Sequence, residues 1–149
     1  MNEEVRNGGR RPSSVLQRRV PTTLEAIDAI CGELRGGCFE IPEDELFTVE
    51  LLLREALTNA VLHAPETNPS CEIWCEIERI RSGIAMRIRD TGTGFDWRRH
   101  LHSTPTAAAE SGRGIHILRR HSSALRFSEQ GNQVEVIRIF GQGGGNGKF

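Results

Sequence analysis

A chain of 149 residues, 37% hydrophobic and 26% charged, has the size of about one domain and the composition of a soluble globular protein. Its formal net charge of -1 provides no strong field to draw it to nucleic acid or to a membrane, so neither is expected as a partner. No apolar run approaches the roughly 20 residues of a membrane span, and the N-terminal "MNEEVRNGGRRPSS" has charge with no apolar stretch behind it, so no signal peptide is read and the default compartment is the cytoplasm.

Residues 1 to 13 are polar and Gly/Arg-rich, and the C-terminal "GQGGGNGKF" is Gly-rich. Disorder is expected for the first segment and a flexible tail over 141 to 149, with one domain over 14 to 140. "SVLQRRVP" reads as a first strand ended by Pro21. "TTLEAIDAICGELRGG" reads as a helix, with Thr22 or Thr23 as cap and Gly36-Gly37 as stop. "IPEDELFTVELLLREALTNAVLHAP" is the longest helix: Pro42 suits its first turn, Glu43, Asp44 and Glu45 complement the dipole, and Pro65 ends it. "CEIWCEIERI" and "GIAMRIRD" form a hairpin across "RSG". "TGTGFDWRRHLHSTPTAAAESGRG" (residues 91 to 114) reads as a long loop with room for one short helix, "IHILRRHSS" as a short helix, and "ALRFSEQ" with "QVEVIRIF" as a last hairpin turning at Gly131-Asn132. The expected fold is α+β: a two-layer sandwich with a mixed, mostly antiparallel sheet covered on one face by helices.

Four cysteines, Cys31, Cys38, Cys71 and Cys75, form no C-x-x-C and no zinc spacing. Cys71 and Cys75 would share a strand face, where a redox or metal role competes with the commoner one of a buried thiol.

At about 100° per residue, Val49, Leu53, Leu57, Ala60 and Ala64 share one face of the long helix, and Glu50, Arg54 and Thr58 form a polar one. Glu55 and Asn59 lie with neither; their stripe also holds Leu51, Leu52 and Leu62. A carboxylate in that company must be paired, bound to a ligand or at the mouth of a cavity. Capping a loop or pairing with one of the many arginines is the structural alternative. "RDTGTGF" follows a strand, so Asp90 offers an acceptor at the strand end while Gly92 and Gly94 let a ligand approach the backbone. "GRGIHIL" sets Gly112 and Gly114 at the mouth of a helix, a ready anion site. Either glycine pattern alone is often just a turn.

In this order, Glu-x-x-x-Asn on a helix, Asp-x-Gly-x-Gly-Phe after a strand and Gly-x-Gly-Ile opening a helix resemble the GHKL nucleotide-binding family, with its Bergerat fold: gyrase, the ninety-kilodalton heat-shock chaperone, histidine kinases and MutL proteins. "EALTNAVLHA", "DTGTGFD" and "GRGIHIL" match its N-box and two glycine boxes, and the resemblance runs from about Leu24 to Ile139. Gyrase-like and MutL-like members add a second domain, for which this chain is expected to be too short. Histidine kinases place a phospho-acceptor His before the ATP domain, and here none of the five histidines precedes His63. The wording is most similar to the bacterial anti-sigma factor serine/threonine kinases.

The resemblance implies ATP and Mg2+ as cofactors. Asn59 would ligate the Mg2+ that bridges the phosphates, and Glu55 would orient or deprotonate the attacking hydroxyl. Asp90 would accept from the adenine amino group, with Gly92, Gly94 and Phe95 closing over the base. Gly112, Arg113, Gly114 and Ile115 would lie beside the phosphates, with the helix N-terminus at Ile115, and residues 96 to 111 would form a lid. His63 matches the motif, with a packed, hydrogen-bonded role. The implied partners are a STAS-domain antagonist as substrate, a sigma factor or equivalent target, and a second copy in a homodimer. Asn132 stands where the family often has Thr, which leaves the fine contact to adenine open. An ATP-gated binding module without kinase activity and a simple ATPase are the competing functions; the presence of Glu55 favours the kinase.

Overall fold

The computed structural model describes residues 15–37, 39–67, 70–93 and 110–142. The N-terminal segment, Cys38, most of the C-terminal tail and most of the expected lid lie outside the described residues. The elements, in chain order, are β1 (Val15–Val20), α1 (Leu24–Gly36), α2 (Glu43–Thr67), β2 (Ile73–Ile80), β3 (Gly83–Asp90), α3 (Glu110–His121), β4 (Ala124–Phe127) and β5 (Gln133–Ile139). The strands form one sheet in the order β1-β2-β3-β5-β4. Every pairing among the described strands is antiparallel, so the sheet is not mixed. Both hairpins, β2–β3 and β4–β5, stand where the sequence puts them, and the second turns through Gly131 at φ 80°.

Alternation along the strands sorts the sheet into two faces. Ile73, Cys75 and Ile77 of β2, Ile84, Met86 and Ile88 of β3, and Val134 and Val136 of β5 point to one side and are buried there with the helices. The other side carries Gln17, Glu76, Arg87 and Glu135 in register. Arg87 donates to Glu135 at 2.9 Å and to Glu76 at 2.9 Å. Burial of the helix-side face is the main stabilising term, at about 25 cal/mol per Å² of apolar surface.

Thr23 is the cap of α1: its hydroxyl accepts from the Ala26 N–H at 3.2 Å. α2 begins one residue after Pro42, whose carbonyl takes the Glu45 N–H. Val49, Leu53, Leu57, Ala60 and Ala64 are all buried, as the periodicity predicts, and Leu62 is exposed. α2 passes Pro65 and stops at Thr67 rather than ending at the proline; the helix outlasts it by two residues, within the spread of a fraying end. No helix among the described residues is long and apolar enough to cross a membrane.

The start of α2 is tied to the far end of the sheet by a buried ion pair. Arg138 donates to Glu45 at 2.8 and 3.3 Å and to the His121 carbonyl at 3.0 Å, and Gly141 N–H donates to Glu45 at 3.0 Å. The Arg138 guanidinium holds the Glu45 carboxyl below its ordinary range, against the opposing effect of burial and with help from Gly141.

Breaking a buried pair by removing one partner costs about 3–5 kcal/mol. Glu45→Gln should therefore lower the unfolding free energy at pH 7 by about 3 kcal/mol, measured by urea denaturation. Because the folded-state proton affinity of Glu45 is depressed, its stabilisation is complete above the unfolded value of about 4.3 and disappears as pH falls through the folded value. The gap between wild type and variant should close in acid. A gap that stays constant down to pH 3 would assign the effect to packing instead.

Candidate functional site

Three elements bring the predicted residues together. α2 supplies Glu55 and Asn59, one turn apart and both half-buried at the margin of its apolar face. β3 ends at Asp90. α3 packs across α2 with Gly114 against the pair: a methyl group built on Gly114 would stand 3.1 Å from Glu55 Oε2, 3.3 Å from Asn59 Oδ1 and 3.6 Å from Asn59 Nδ2. Glu55 and Asn59 thus converge on one point of the α3 backbone.

Asn59 and Asp90 also share a cleft of about 20 Å³, walled by Ala56 and Ala60 of α2, Ile88 of β3, and Phe127, Asn132 and Val134 of the last hairpin. Asp90 Oδ1 accepts from the Gly92 N–H at 2.7 Å, which folds the chain back at the strand end. Burial raises the Asp90 proton affinity, while the Gly92 N–H and the nearby His63 pull it down. The result is a partly desolvated acceptor at the end of an apolar slot, the chemistry that suits an exocyclic amino group. The cleft as it stands has room for about one water, so a purine enters only as the walls part.

Asn132 lines the cleft, but its Oδ1 accepts from the Ser128 hydroxyl at 3.0 Å and is thereby tied into its own hairpin. A larger groove of about 480 Å³, lined by Gln17, Trp74, Arg87 and Arg89 among others, crosses the opposite, polar face of the sheet; of the residues singled out by the sequence it includes Cys75 and none of the nucleotide-site candidates. The cleft, although far smaller, holds the matching chemistry.

Three expectations are corrected. Ile115 does not stand at a helix N-terminus. α3 begins at Glu110, so Gly112, Arg113 and Gly114 are already helical, and Ile115 is a fully buried core residue. In a helix only the first N–H groups lack intrahelical partners, and here those belong to the turn at Glu110–Gly112. Gly94 and Phe95 fall outside the described residues, as does the segment 96 to 109 of the expected lid; Glu110 and Ser111, placed in that lid by the sequence, are helical. The strand face expected to hold both Cys71 and Cys75 does not, because Cys71 precedes β2. Cys75 is buried and its thiol is pushed up to about 12 by that burial, so it is neither thiolate nor nucleophile. Among the described residues no group of three or more His, Cys, Asp or Glu side chains could hold a metal ion. Ala56, Ile88, Phe127 and Val134, which wall the cleft, were not singled out by the sequence; the small Ala56 and Ala60 beside Asn59 were the one available signal.

The histidine kinase-like ATPase domain matches residues 19–138 of this chain. Its relatives include anti-sigma F factors of several bacteria. That of Anoxybacillus flavithermus is 28% identical over 102 residues, covering 64% of this chain and 70% of the relative. That of Priestia megaterium is 28% identical over 88 residues, covering 56% and 60%. That of Bacillus subtilis is 26% identical over 100 residues, covering 64% and 68%. With four-fifths of its length matched and with a helix-borne Glu55–Asn59 pair beside an aspartate-ended strand, the chain belongs to the histidine kinase-like ATPase domain family.

Proposed function

We propose that this protein is an ATP-dependent protein serine/threonine kinase that also sequesters a sigma factor or an equivalent target, and that its substrate is a small STAS-domain antagonist of that sequestration. The convergence of Glu55 and Asn59 at Gly114, at the edge of a cleft that ends in Asp90, carries the reading. Membership of an ATPase domain family supports ATP as the nucleotide, and the names of the anti-sigma F factor relatives support a sigma factor partner.

Each residue has a task in that chemistry. Asp90 accepts from the adenine amino group, and the apolar walls from Ile88, Phe127 and Val134 take the faces of the base. Gly92 keeps the chain beside Asp90 free of a side chain. Asn59 offers an amide oxygen, a ligand suited to a hard cation that keeps most of its waters; the donor set fits Mg2+ held chiefly by phosphate oxygens, which would supply charge neutralisation there. Glu55 orients the substrate hydroxyl and accepts its proton as the oxygen bonds to the γ-phosphorus and ADP leaves. Phosphoryl transfer asks the protein mainly for positioning and charge stabilisation, so a placed carboxylate is sufficient equipment.

Purified wild type and Glu55→Ala, added to lysate of the source organism with γ-labelled ATP and Mg2+, should differ in one respect. The wild type labels a small protein on Ser or Thr, and the variant does so at least about a hundredfold more slowly while ATP binding is retained. Persistent labelling by Glu55→Ala would remove the role given to Glu55. Tight ATP binding without labelling by either would replace the kinase with an ATP-gated binding module. Slow phosphate release with no labelled protein would indicate an ATPase.

Asp90→Ala should weaken ATP binding by about ten- to a hundredfold, the loss of a hydrogen bond to a charged group, and leave binding of GTP, whose base has a carbonyl in place of that amino group, nearly unchanged. Since burial raises its proton affinity, ATP binding by the wild type should begin to fail at a pH above that at which an ordinary aspartate protonates. Equal losses for ATP and GTP in Asp90→Ala would point to a damaged fold rather than a lost base contact.

A further inference from the structure

We infer that Gly114 is a positioning residue: its missing side chain leaves, where α3 passes α2, the space in which the Glu55 carboxylate and the Asn59 amide converge. The inference rests on the roles proposed for those two groups and adds to them. The glycine lies within α3 rather than at its mouth. It is the fifth residue of α3, buried, and beyond its own helix the atoms nearest to a methyl built on it are Glu55 Oε2 and Asn59 Oδ1.

The distances decide what an added methyl would do. At 3.1 Å and 3.3 Å, both oxygens stand closer than ordinary van der Waals contact, so something must yield by a few tenths of an ångström. The backbones of α2 and α3 are held by Leu52, Leu53, Leu57, Ile115 and Leu118, all fully buried, and will not part readily. The ends of the Glu55 and Asn59 side chains move instead, because a rotamer adjustment is far softer than a shift of two packed helices. The fold absorbs the methyl cheaply and the displacement falls on the two functional groups. A misplacement of 1 Å can slow catalysis by about a hundredfold, so a few tenths of an ångström should slow it by roughly three- to tenfold.

Gly32 provides the matched control. It too is helical, in α1, but nothing lies within 4 Å of a methyl built on it. Ala is a better helix former than Gly at both positions, so Gly32→Ala and Gly114→Ala should both melt at or above the wild-type temperature. Only Gly114→Ala should shift the Asn59 side-chain amide resonances in the nucleotide-free protein. It should also raise the Mg2+ concentration for half-maximal ATP binding by about threefold. Label transfer to the substrate should fall roughly three- to tenfold, with the affinity for ATP at saturating Mg2+ changed less than about twofold.

Gly114→Ala with unmoved Asn59 resonances and an unchanged Mg2+ requirement would overturn the inference, as would a loss of ATP binding equal to the loss of transfer. Should the wild type transfer no phosphate, the kinase reading fails by itself. The Asn59 resonances and the Mg2+ titration still judge Gly114: a shift in both for Gly114→Ala alone upholds its positioning role, and no shift ends it.

Discussion

The sheet has one apolar face, and α2 must press its own apolar seam against it. Leu52, Leu53 and Leu57 are fully buried in doing so, and each contributes about 2 kcal/mol relative to exposure. Rotating the helix by a third of a turn to bring Glu55 fully into water would withdraw that seam from the core. The leucines therefore decide the orientation of the helix. Glu55 and Asn59, three and seven residues after Leu52, are carried to the margin of the seam, half-buried and aimed at α3. A carboxylate left there is tolerable because it is not fully desolvated, and it is useful because a partly dry setting strengthens its interactions.

The same helix is anchored at its other end. Glu45 and Asn59 are fourteen residues apart, or roughly 21 Å along the axis at 1.5 Å per residue. At the first, a bidentate guanidinium contact and a backbone N–H join α2 to β5, with the end of α3 bonded to the same arginine. At the second, α3 meets α2 through a glycine. α3 is thus held at its C-terminal end by a polar clasp and passes the site near its N-terminal end through the close approach of Gly114. Adjustment to a ligand is easier at the second end than at the first.

Much of this was legible in the sequence, because periodicity and turn chemistry are local. The face containing Val49, Leu53, Leu57, Ala60 and Ala64, the cap at Thr23, both hairpins and the Gly131 turn follow from neighbours a few residues apart. The Glu55–Asn59 and Asp90–Gly92 spacings were equally visible, since each lies within one element or turn. The start of α3 was misplaced because Gly112 and Gly114 read as the mouth of the helix; Gly114 lies within it, packed against Glu55 and Asn59 of α2, a tertiary term no local rule contains. The cleft walls Phe127 and Val134, and the Glu45–Arg138 clasp spanning 93 positions, depend on the order of strands in the sheet and leave no local signature.

The sheet's outer face adds little to stability. Gln17, Glu76, Arg87 and Glu135 form a ladder in which donors and carboxylates neutralise one another across strands, and partly exposed ion pairs of this kind contribute only about 0–1 kcal/mol each. The energy that holds the strands lies on the helix side, the side that also holds the site. Damage to the core and damage to the site would then be hard to separate at most positions. At Ala56 or Ile88, wall and core are one residue, and any change disturbs both. Gly114 differs because its neighbours are side-chain ends rather than packed backbone. There the geometry of the Glu55–Asn59 pair is set by a contact on which the core does not depend.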